Sequence, residues 1–257
     1  MDTISIYLDK LSLILLIFFS YSFIGWIWES IFIGIYERKI TNRGFLNGPY
    51  IPIYGFGGTI IYLFLNKYYN NILAIFVLGF VFATILEYFT ALILENILKI
   101  RLWSYDNYPL NFQGRICLLA SLFWGVMSIM VVRIITPFMI KYINPIHRDF
   151  KLIISSMLVA VFILDLIITI NSMFRLKEKI KNIIEIENKL EPVLEKIKGI
   201  EMPEINFDFI KNSYKHNSRI FRRIIKAFPN LKFKSQKEQN IFTKIKELNK
   251  RNKNSQS

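Results

Sequence analysis

Residues 72–98 read ILAIFVLGFVFATILEYFTALILENIL, an apolar run whose charged side chains are Glu87 and Glu95. A helix needs about 20 predominantly apolar residues to cross the roughly 30 Å hydrocarbon core of a bilayer. A charge near the centre of such a helix costs about 2.5 kcal/mol or more. The run therefore predicts a membrane-spanning helix with two acidic groups that need a structural or functional reason.

Four other apolar stretches surround this run, at residues 11–35, 44–66, 116–140 and 152–174. In the second stretch, Pro49, Pro52 and the glycines up to Gly58 predict an irregular entry, with the helix itself beginning near Ile51. Together the five stretches predict an all-α, polytopic membrane helix bundle of about five transmembrane helices. A large soluble helical protein is the alternative.

The charge of the chain is concentrated near its end. The 257 residues are 53% hydrophobic and carry a net charge of +14. Residues 1–174 hold 12 Lys and Arg against 9 Asp and Glu, whereas residues 175–257 hold 21 against 10. We expect a transmembrane domain at 1–174, an amphipathic helical tail at 175–234, and a polar, partly disordered end at 235–257. Cys117 is the single cysteine, which excludes an internal disulfide.

Basic residues also predict the orientation, because Lys and Arg accumulate on the cytoplasmic side of a membrane. Five spans place the first loop, the third loop and the tail on one side, with 27 basic residues against six on the other. The chain is therefore expected in the cytoplasmic membrane, multi-pass, with its N-terminus outside and its tail in the cytoplasm.

The same topology predicts where the acidic side chains lie. At about 1.5 Å per residue, Glu87 and Asp165 both lie some 20 Å inward from the outer ends of their spans. Glu29 and Glu95 fall near the inner boundary. Ionisable groups within spans usually face a bundle interior or an aqueous cavity. The alternative is that these acids only pair with arginines: Glu29 with Arg43, and Glu87 or Asp165 with Arg115.

The third loop, residues 101–115, is rich in polar and aromatic side chains. Gly114 and Arg115 stand directly before the fourth predicted span, so the helix start could bind an anion beside the Arg115 guanidinium. Asn111 would support such a site, and Asp106 capping the same helix is the alternative. The interfacial aromatic side chains typical of a membrane's aromatic belt are Trp103, Tyr105 and Tyr108.

Several kinds of chemistry lack their usual motifs here. No Gly-rich Walker-type phosphate loop is present, so ATP hydrolysis by that route is excluded. No His and Cys spacing suggests zinc. We expect no cofactor and no metal. A carboxylate site for Mg²⁺ or Mn²⁺ is a minor alternative, built from Glu87, Glu95, Asp106 and Asp165.

Three groups of residues carry a resemblance to a known family. They are Gly44-Phe-Leu-Asn-Gly-Pro-Tyr50 with 52–57, Leu86-Glu-Tyr-Phe-Thr90 with Glu95, and Pro109-Leu-Asn-Phe-Gln-Gly-Arg-Ile-Cys-Leu118 with Ser121 and Trp124-Gly125. Over roughly residues 12–172 the chain resembles the bacterial integral membrane family called putative ABC-transporter type IV (CmpB-like). Where that family tends to read Trp-Asp-Tyr-Ser, this chain reads Trp103-Ser-Tyr-Asp106, which moves the acid by two positions.

The resemblance implies a role in transport, with a separate ATPase subunit as the energy source. It also implies a set of site positions lining a polar cavity that opens to the cytoplasm, to which the depth argument adds Asp165. The positions implied by the resemblance are Glu29, Arg43, Asn47, Tyr50, Tyr54, Glu87, Glu95, Arg101, Trp103, Asn111, Gly114 and Arg115.

The tail contains two apolar patterns. Ile180, Ile183, Glu187, Leu190, Leu194 and Ile197 recur at spacings of three and four, which predicts a short helical pair or homo-oligomer contact kinked at Pro192. Farther on, a basic face opposes an apolar stripe, which is typical of a helix lying on anionic lipid. Its basic residues are Lys211, Lys215, Arg219, Arg222, Arg223 and Lys226. Binding to nucleic acid is the less favoured alternative.

Three functions remain open on this evidence. The leading hypothesis is a permease-like transporter component with a cytoplasm-facing polar cavity. The second is an intramembrane enzyme acting on a lipid phosphate or another amphiphile, with Glu87 or Glu95 as acid or base and Arg101 or Arg115 holding the head group. The third is a membrane anchor or regulator that recruits partners through its tail.

Overall fold

A computed structural model of the chain describes residues 3–37, 42–196, 223–224, 227–228 and 231–243. Its long helices are α1 (Thr3–Glu37), α2 (Pro52–Leu65), α3 (Ile72–Ile97), α4 (Leu118–Met130), α5 (Thr136–Ile143) and α6 (Arg148–Lys196). Two-residue strands are β1 (Ile100–Arg101), β2 (Asn111–Phe112), β3 (Ile116–Cys117) and β4 (Lys232–Phe233). The predicted all-α membrane helix bundle is confirmed.

Among the described residues, four helical segments are long and apolar enough to cross a membrane: Thr3–Phe32, Ile72–Ile97, Leu118–Ile143 and Arg148–Glu185. The remaining predicted span forms the 14-residue helix α2, about 21 Å long, and a 3₁₀ turn at Asn66–Tyr68. Residues 42–51 are irregular, as expected from Pro49, because proline restricts the residue before it to extended conformations. The bundle therefore has four long spans and one short helix.

The fourth predicted span is divided between α4 and α5 by a π-helical turn at Val131–Ile135. Pro137 lies in the first turn of α5 and has no N–H to donate to the preceding turn. Such a residue commonly widens the helix locally, and the helical path still continues from Leu118 to Ile143. The span begins two residues later than predicted because Ile116 and Cys117 form β3.

Small residues hold α1 and α2 close together. A Cβ atom on Gly25 would lie 2.3 Å from Cγ of Tyr54, and one on Gly58 would lie 2.3 Å from Cγ of Tyr21. The same closeness joins α3 to α4, where a Cβ on Gly79 would lie 2.2 Å from Oγ of Ser128. Close backbone approach at glycine is the usual way in which membrane helices gain packing energy.

The two ends of the bundle differ in character. At one end, Lys151 pairs with Asp9 at 2.7 Å and Arg133 donates a hydrogen bond to the Tyr69 carbonyl oxygen at 2.8 Å. At the other end lie residues 42–51, which we call the first loop, and residues 98–117, which we call the third loop. This second end is the loop end of the bundle, and the tail packs on it.

The tail packs within the chain through a second hydrophobic core. Ile180 of α6 is fully buried there with Leu98, Ile100 and Leu102 of the third loop, and with the tail residues Ile224, Leu231, Phe233, Ile241 and Phe242. β1 and β4 pair antiparallel, Ile100 opposite Phe233. Ile180 and Ile183 of the predicted seam therefore pack within the chain, instead of leaving a free face for a second copy.

Helix α6 continues without a break past residue 174, and its bounds extend beyond Pro192 to Lys196. Residues 236–243, within the end that we expected to be partly disordered, are helical. Packing against the third loop supplies the reason, because Ile241 and Phe242 are buried in the second core.

Candidate functional site

Asp165 receives hydrogen bonds from the first loop on both of its carboxylate oxygens. Oδ1 accepts from the backbone N–H of Asn47 at 3.0 Å, from its side-chain amide at 2.7 Å, and from the Thr169 hydroxyl at 3.2 Å. Oδ2 accepts from the N–H of Gly48 at 2.7 Å and from the Tyr50 hydroxyl at 2.6 Å. Asp165 thus anchors the first loop, and its lone pairs are used.

Tyr50 shows how strongly this contact holds the loop. Burial and the adjacent Asp165 carboxylate raise the pKa of Tyr50 far above its ordinary value. The hydroxyl therefore stays protonated and remains a donor at any physiological pH.

Glu29 forms the predicted pair with Arg43, with 3.8 Å between Oε2 and Nε. Its Oε1 accepts a hydrogen bond of 3.0 Å from the Tyr54 hydroxyl of α2. Arg43 also donates to the carbonyl oxygen of Ala227 and lies over the Phe228 ring. This group therefore joins α1, α2, the first loop and the tail.

Glu95 binds both arginines of the third loop. Arg101 Nε lies 2.7 Å from Oε1, and Arg115 lies 2.5 Å from Oε2 through its terminal nitrogen. The expected alternative, in which Arg115 pairs with Glu87 or Asp165, is wrong. The reason is distance along the helix, because Glu95 lies at the end of α3 where the third loop begins. Both guanidinium groups are thus already neutralised by protein.

The third loop does not place an anion site at the start of α4. Strand β3 separates Gly114 and Arg115 from the helix, which begins at Leu118 without a side-chain cap. Gly114 has a φ of +66° and donates its N–H to the Asn111 side chain at 3.0 Å. A Cβ there would lie 1.9 Å from Oδ1 of Asp106, so glycine is required.

Two other residues of the third loop fix its position. The indole N–H of Trp103 donates to the Arg115 carbonyl oxygen at 3.1 Å, so this side chain packs inward. Asp106 accepts hydrogen bonds from the Ser104 hydroxyl at 2.5 Å and from Lys232 of the tail at 2.9 Å. These two bonds, Ser104 first, lower the pKa of Asp106 below its ordinary value.

Glu87 is held differently from the other acids. It is 6% exposed, and its Oε1 accepts a hydrogen bond of 2.8 Å from the hydroxyl of Tyr105 in the third loop. Among the described residues, its buried Oε2 accepts no hydrogen bond. Burial, followed by the Glu87 carboxylate, raises the pKa of Tyr105 well above its ordinary value, so Tyr105 remains the donor.

A cavity of about 210 Å³ lies among α1, α2, α3 and α4 beside Glu87. Its walls are mainly apolar, with the rings of Trp28, Tyr54 and Trp124 among them. Of the described residues that line it, Glu87 is the one carboxylate, and none is Lys, Arg or His. The arrangement combines an apolar space with a single acidic group.

Many of the predicted site residues thus form four hydrogen-bonded or ion-paired groups. Asn47 and Tyr50 join Asp165; Arg43 and Tyr54 join Glu29; Arg101 and Arg115 join Glu95; Glu87 binds Tyr105. No group of three or more His, Cys, Asp or Glu in the described part of the chain could hold a metal ion.

Sequence reasoning missed three contributors. Tyr105 had been assigned only to the interfacial belt, and Trp124 only to the family resemblance, yet they lie at Glu87 and at the cavity wall. Thr169, which bonds Asp165, stands four residues after it, and that spacing places both on one helix face. The four-residue spacing of Asp165 and Thr169 can be recognised in the sequence, whereas no sequence pattern indicates the contacts of Tyr105 and Trp124.

The basic tail is only partly within the described residues. Lys211, Lys215, Arg219, Arg222 and Lys226 lie outside them. Arg223 contacts the first loop. Its guanidinium donates to the carbonyl oxygens of Gly44 at 2.5 Å and Phe45 at 2.7 Å, because the irregular first loop leaves those carbonyls without helical partners.

Comparison with known proteins gives one positive result. A family model described as Putative ABC-transporter type IV matches residues 16–170, which include α2 to α5, both loops and Asp165. No curated protein matches the chain, and neither does any solved structure. Because the family model covers more than half of the sequence, the chain belongs to the Putative ABC-transporter type IV family.

Proposed function

We propose that the chain is a permease-like component of a transporter, and that the transported molecule occupies the cavity among α1 to α4. The observation that carries the proposal is the cavity itself, which lies inside a membrane helix bundle and contains one buried carboxylate. Ligand sites are usually concave, largely apolar and provided with a few polar groups. Family membership supports the same class of function.

A separate ATPase subunit would supply the energy, since the sequence contains no Walker-type loop. Such a subunit would dock at the loop end, where the loops and the described tail form one packed unit. In this proposal the loop end is cytoplasmic, and the basic residues of the tail that lie outside the described part contact anionic lipid.

An intramembrane enzyme for lipid phosphates has weaker support. It requires Arg101 or Arg115 to hold a phosphate group, and both are engaged by Glu95. Releasing either one would leave part of a largely buried carboxylate without its counter-charge, which is costly. The geometry therefore favours binding and transport over phosphate chemistry.

Co-purification tests the transporter proposal. The full chain would be purified in mild detergent from its native membrane and reconstituted in liposomes, where ATP hydrolysis is measured. We expect a nucleotide-hydrolysing subunit at fixed stoichiometry, and we expect hydrolysis to vanish when that subunit's phosphate-loop lysine is replaced. A chain that purifies without such a subunit, and whose liposomes hydrolyse no ATP, would contradict the proposal.

Cysteine labelling tests the orientation. Single cysteines at Asn70, Asn144 and Asn107 would be introduced with Cys117 replaced by serine. A membrane-impermeant maleimide added to intact cells should label positions 70 and 144 and spare 107. Labelling at 107 alone would place the loop end outside.

A further inference from the structure

Glu87 lacks the neutralisation that the other acids of the bundle have. Glu95 has two arginines, Glu29 has Arg43, and Asp165 has five hydrogen bonds. Glu87 accepts one hydrogen bond from a neutral phenol, and its buried second oxygen accepts none from the described residues. A buried carboxylate in this state is costly unless it takes up a proton or gains a donor or a positive charge.

The cavity walls do not supply a cation. The Tyr54 hydroxyl donates to Glu29, the Ser128 hydroxyl donates to the Trp124 carbonyl oxygen, and the Tyr21 hydroxyl is bonded to Thr136. The side chain of Trp124 does approach Glu87, but one indole N–H serves a single lone pair and carries no charge. The Glu87 carboxylate therefore has no cationic partner among the described residues that line the cavity.

The surroundings make that end of the cavity negative. The nearest arginines are committed to other acids, Arg43 to Glu29 and Arg101 and Arg115 to Glu95. Tyr54 and Trp124 present aromatic rings with centroids 5.5 Å apart, and aromatic faces attract cations. A positive group would thus meet a carboxylate and π-electron density together.

We propose that the cavity binds a small organic cation, an ammonium group on a compact apolar or aromatic body, with the ammonium at the Glu87 carboxylate. The size follows from the volume, since an engineered cavity of about 150 Å³ holds benzene and this one has about 210 Å³. The inference rests on the proposed function for its physiological meaning, because the cation would be the transported molecule.

Equilibrium dialysis of the purified full chain in detergent tests this inference. The probes are phenethylamine and its neutral counterpart 2-phenylethanol, with detergent micelles alone as the blank. We expect the amine to bind more tightly than the alcohol. Glu87→Gln should weaken amine binding by at least about tenfold and leave alcohol binding unchanged within about twofold. Equal affinity for both probes, or amine binding that Glu87→Gln does not change, would overturn the proposal.

Matched variants locate the effect. Asp149→Asn removes an exposed carboxylate far from the cavity and should leave both probes unaffected. Gly57→Val places a side chain into the cavity, where the nearest atom to an added Cβ is Leu86 at 3.4 Å, and should weaken both probes alike. If Glu87→Gln fails to fold, Glu87→Asp replaces it and should keep the preference for the amine. Loss of that preference in folded Glu87→Asp would count against the proposal.

The two proposals fail separately. Dialysis requires no ATPase. If an ATPase co-purifies but no amine binds, the cation proposal fails and the transporter proposal stands. If amine binding depends on Glu87 but no ATPase co-purifies, the binding-site proposal stands and the transporter proposal fails.

Discussion

The hydroxyl group of Tyr105 donates a hydrogen bond of 2.8 Å to Oε1 of Glu87, so a loop residue reaches the interior of the helix bundle. Glu87 lies eight residues before Glu95, which is about 12 Å deeper along α3. The third loop therefore folds back into the bundle and fixes the carboxylate beside the cavity.

Removal of this bond should destabilise the protein. In Tyr105→Phe, a buried carboxylate loses its donor, and we expect the free energy of unfolding to fall by about 1–3 kcal/mol. Denaturation in mixed micelles, followed by circular dichroism, measures the change. Tyr108→Phe is the control, because that side chain is exposed. Equal stability of the two variants would show that the Tyr105 bond contributes nothing.

Asp165 should behave as an anchor of the first loop. In Asp165→Asn, an amide N–H₂ replaces one acceptor oxygen and faces donors from Asn47, Gly48 or Tyr50. We expect a loss of about 1.5–3 kcal/mol and faster protease cleavage within residues 42–51. Asp149→Asn should show neither effect. Unchanged cleavage in Asp165→Asn would mean that the loop is held by other contacts.

The helix bundle should tolerate a methyl group at one glycine and reject it at another. Gly25→Ala would place Cβ 2.3 Å from Tyr54, and overpacking of this kind costs about 1–3 kcal/mol. Gly57→Ala meets Leu86 at an ordinary 3.4 Å and should be neutral or stabilising by up to about 1 kcal/mol. Thermal unfolding of both variants measures this difference in stability. Equal stability of Gly25→Ala and Gly57→Ala would show that the helices pack differently.

The contact between Asp106 and Lys232 should depend on pH in one direction. Ser104 and Lys232 lower the folded pKa of Asp106 below its ordinary value of 3.8. The stabilisation is therefore fully present above about pH 4 and is lost as the pH falls through the lowered pKa. Between pH 5 and 8 we expect no change from this group.

Hydrogen exchange at the Lys234 amide, which donates to the Lys99 carbonyl oxygen, measures this effect. Asp106→Asn should speed exchange relative to the unmodified chain at pH 6, and the ratio of the two rates should fall toward one as the pH drops below about 4 through the lowered pKa of Asp106. A ratio that is the same at both pH values would show that the Asp106 charge does not hold the tail.

The helices could be predicted from sequence because their signal is local. Uninterrupted apolar runs predicted the spans, and the depth argument placed Glu87 and Asp165 inside the bundle. Pro49 and Pro52 correctly predicted the irregular first loop. Together with the end of the apolar stretch at residue 66, they also place α2 close to its observed bounds, Pro52–Leu65.

The contacts that define the site could not be read in this way. Tyr105 meets Glu87, and Phe233 pairs with Ile100, only because two loops and the tail fold onto the same end. Two-residue strands have no periodicity to detect. The sequence alone leaves Glu87, Asp165 and Glu95 as possible partners of Arg115. Strand β3 places Arg115 beside Glu95.

A structure of the full chain with phenethylamine bound tests the central claim most directly, because it shows which atoms the cation meets. We predict the amine inside the cavity, with its nitrogen within about 3 Å of a carboxylate oxygen of Glu87 and its ring between Tyr54 and Trp124. A cavity that remains empty, or that holds only an acyl chain while the amine lies elsewhere, would contradict the assignment of Glu87 as the cation-binding group.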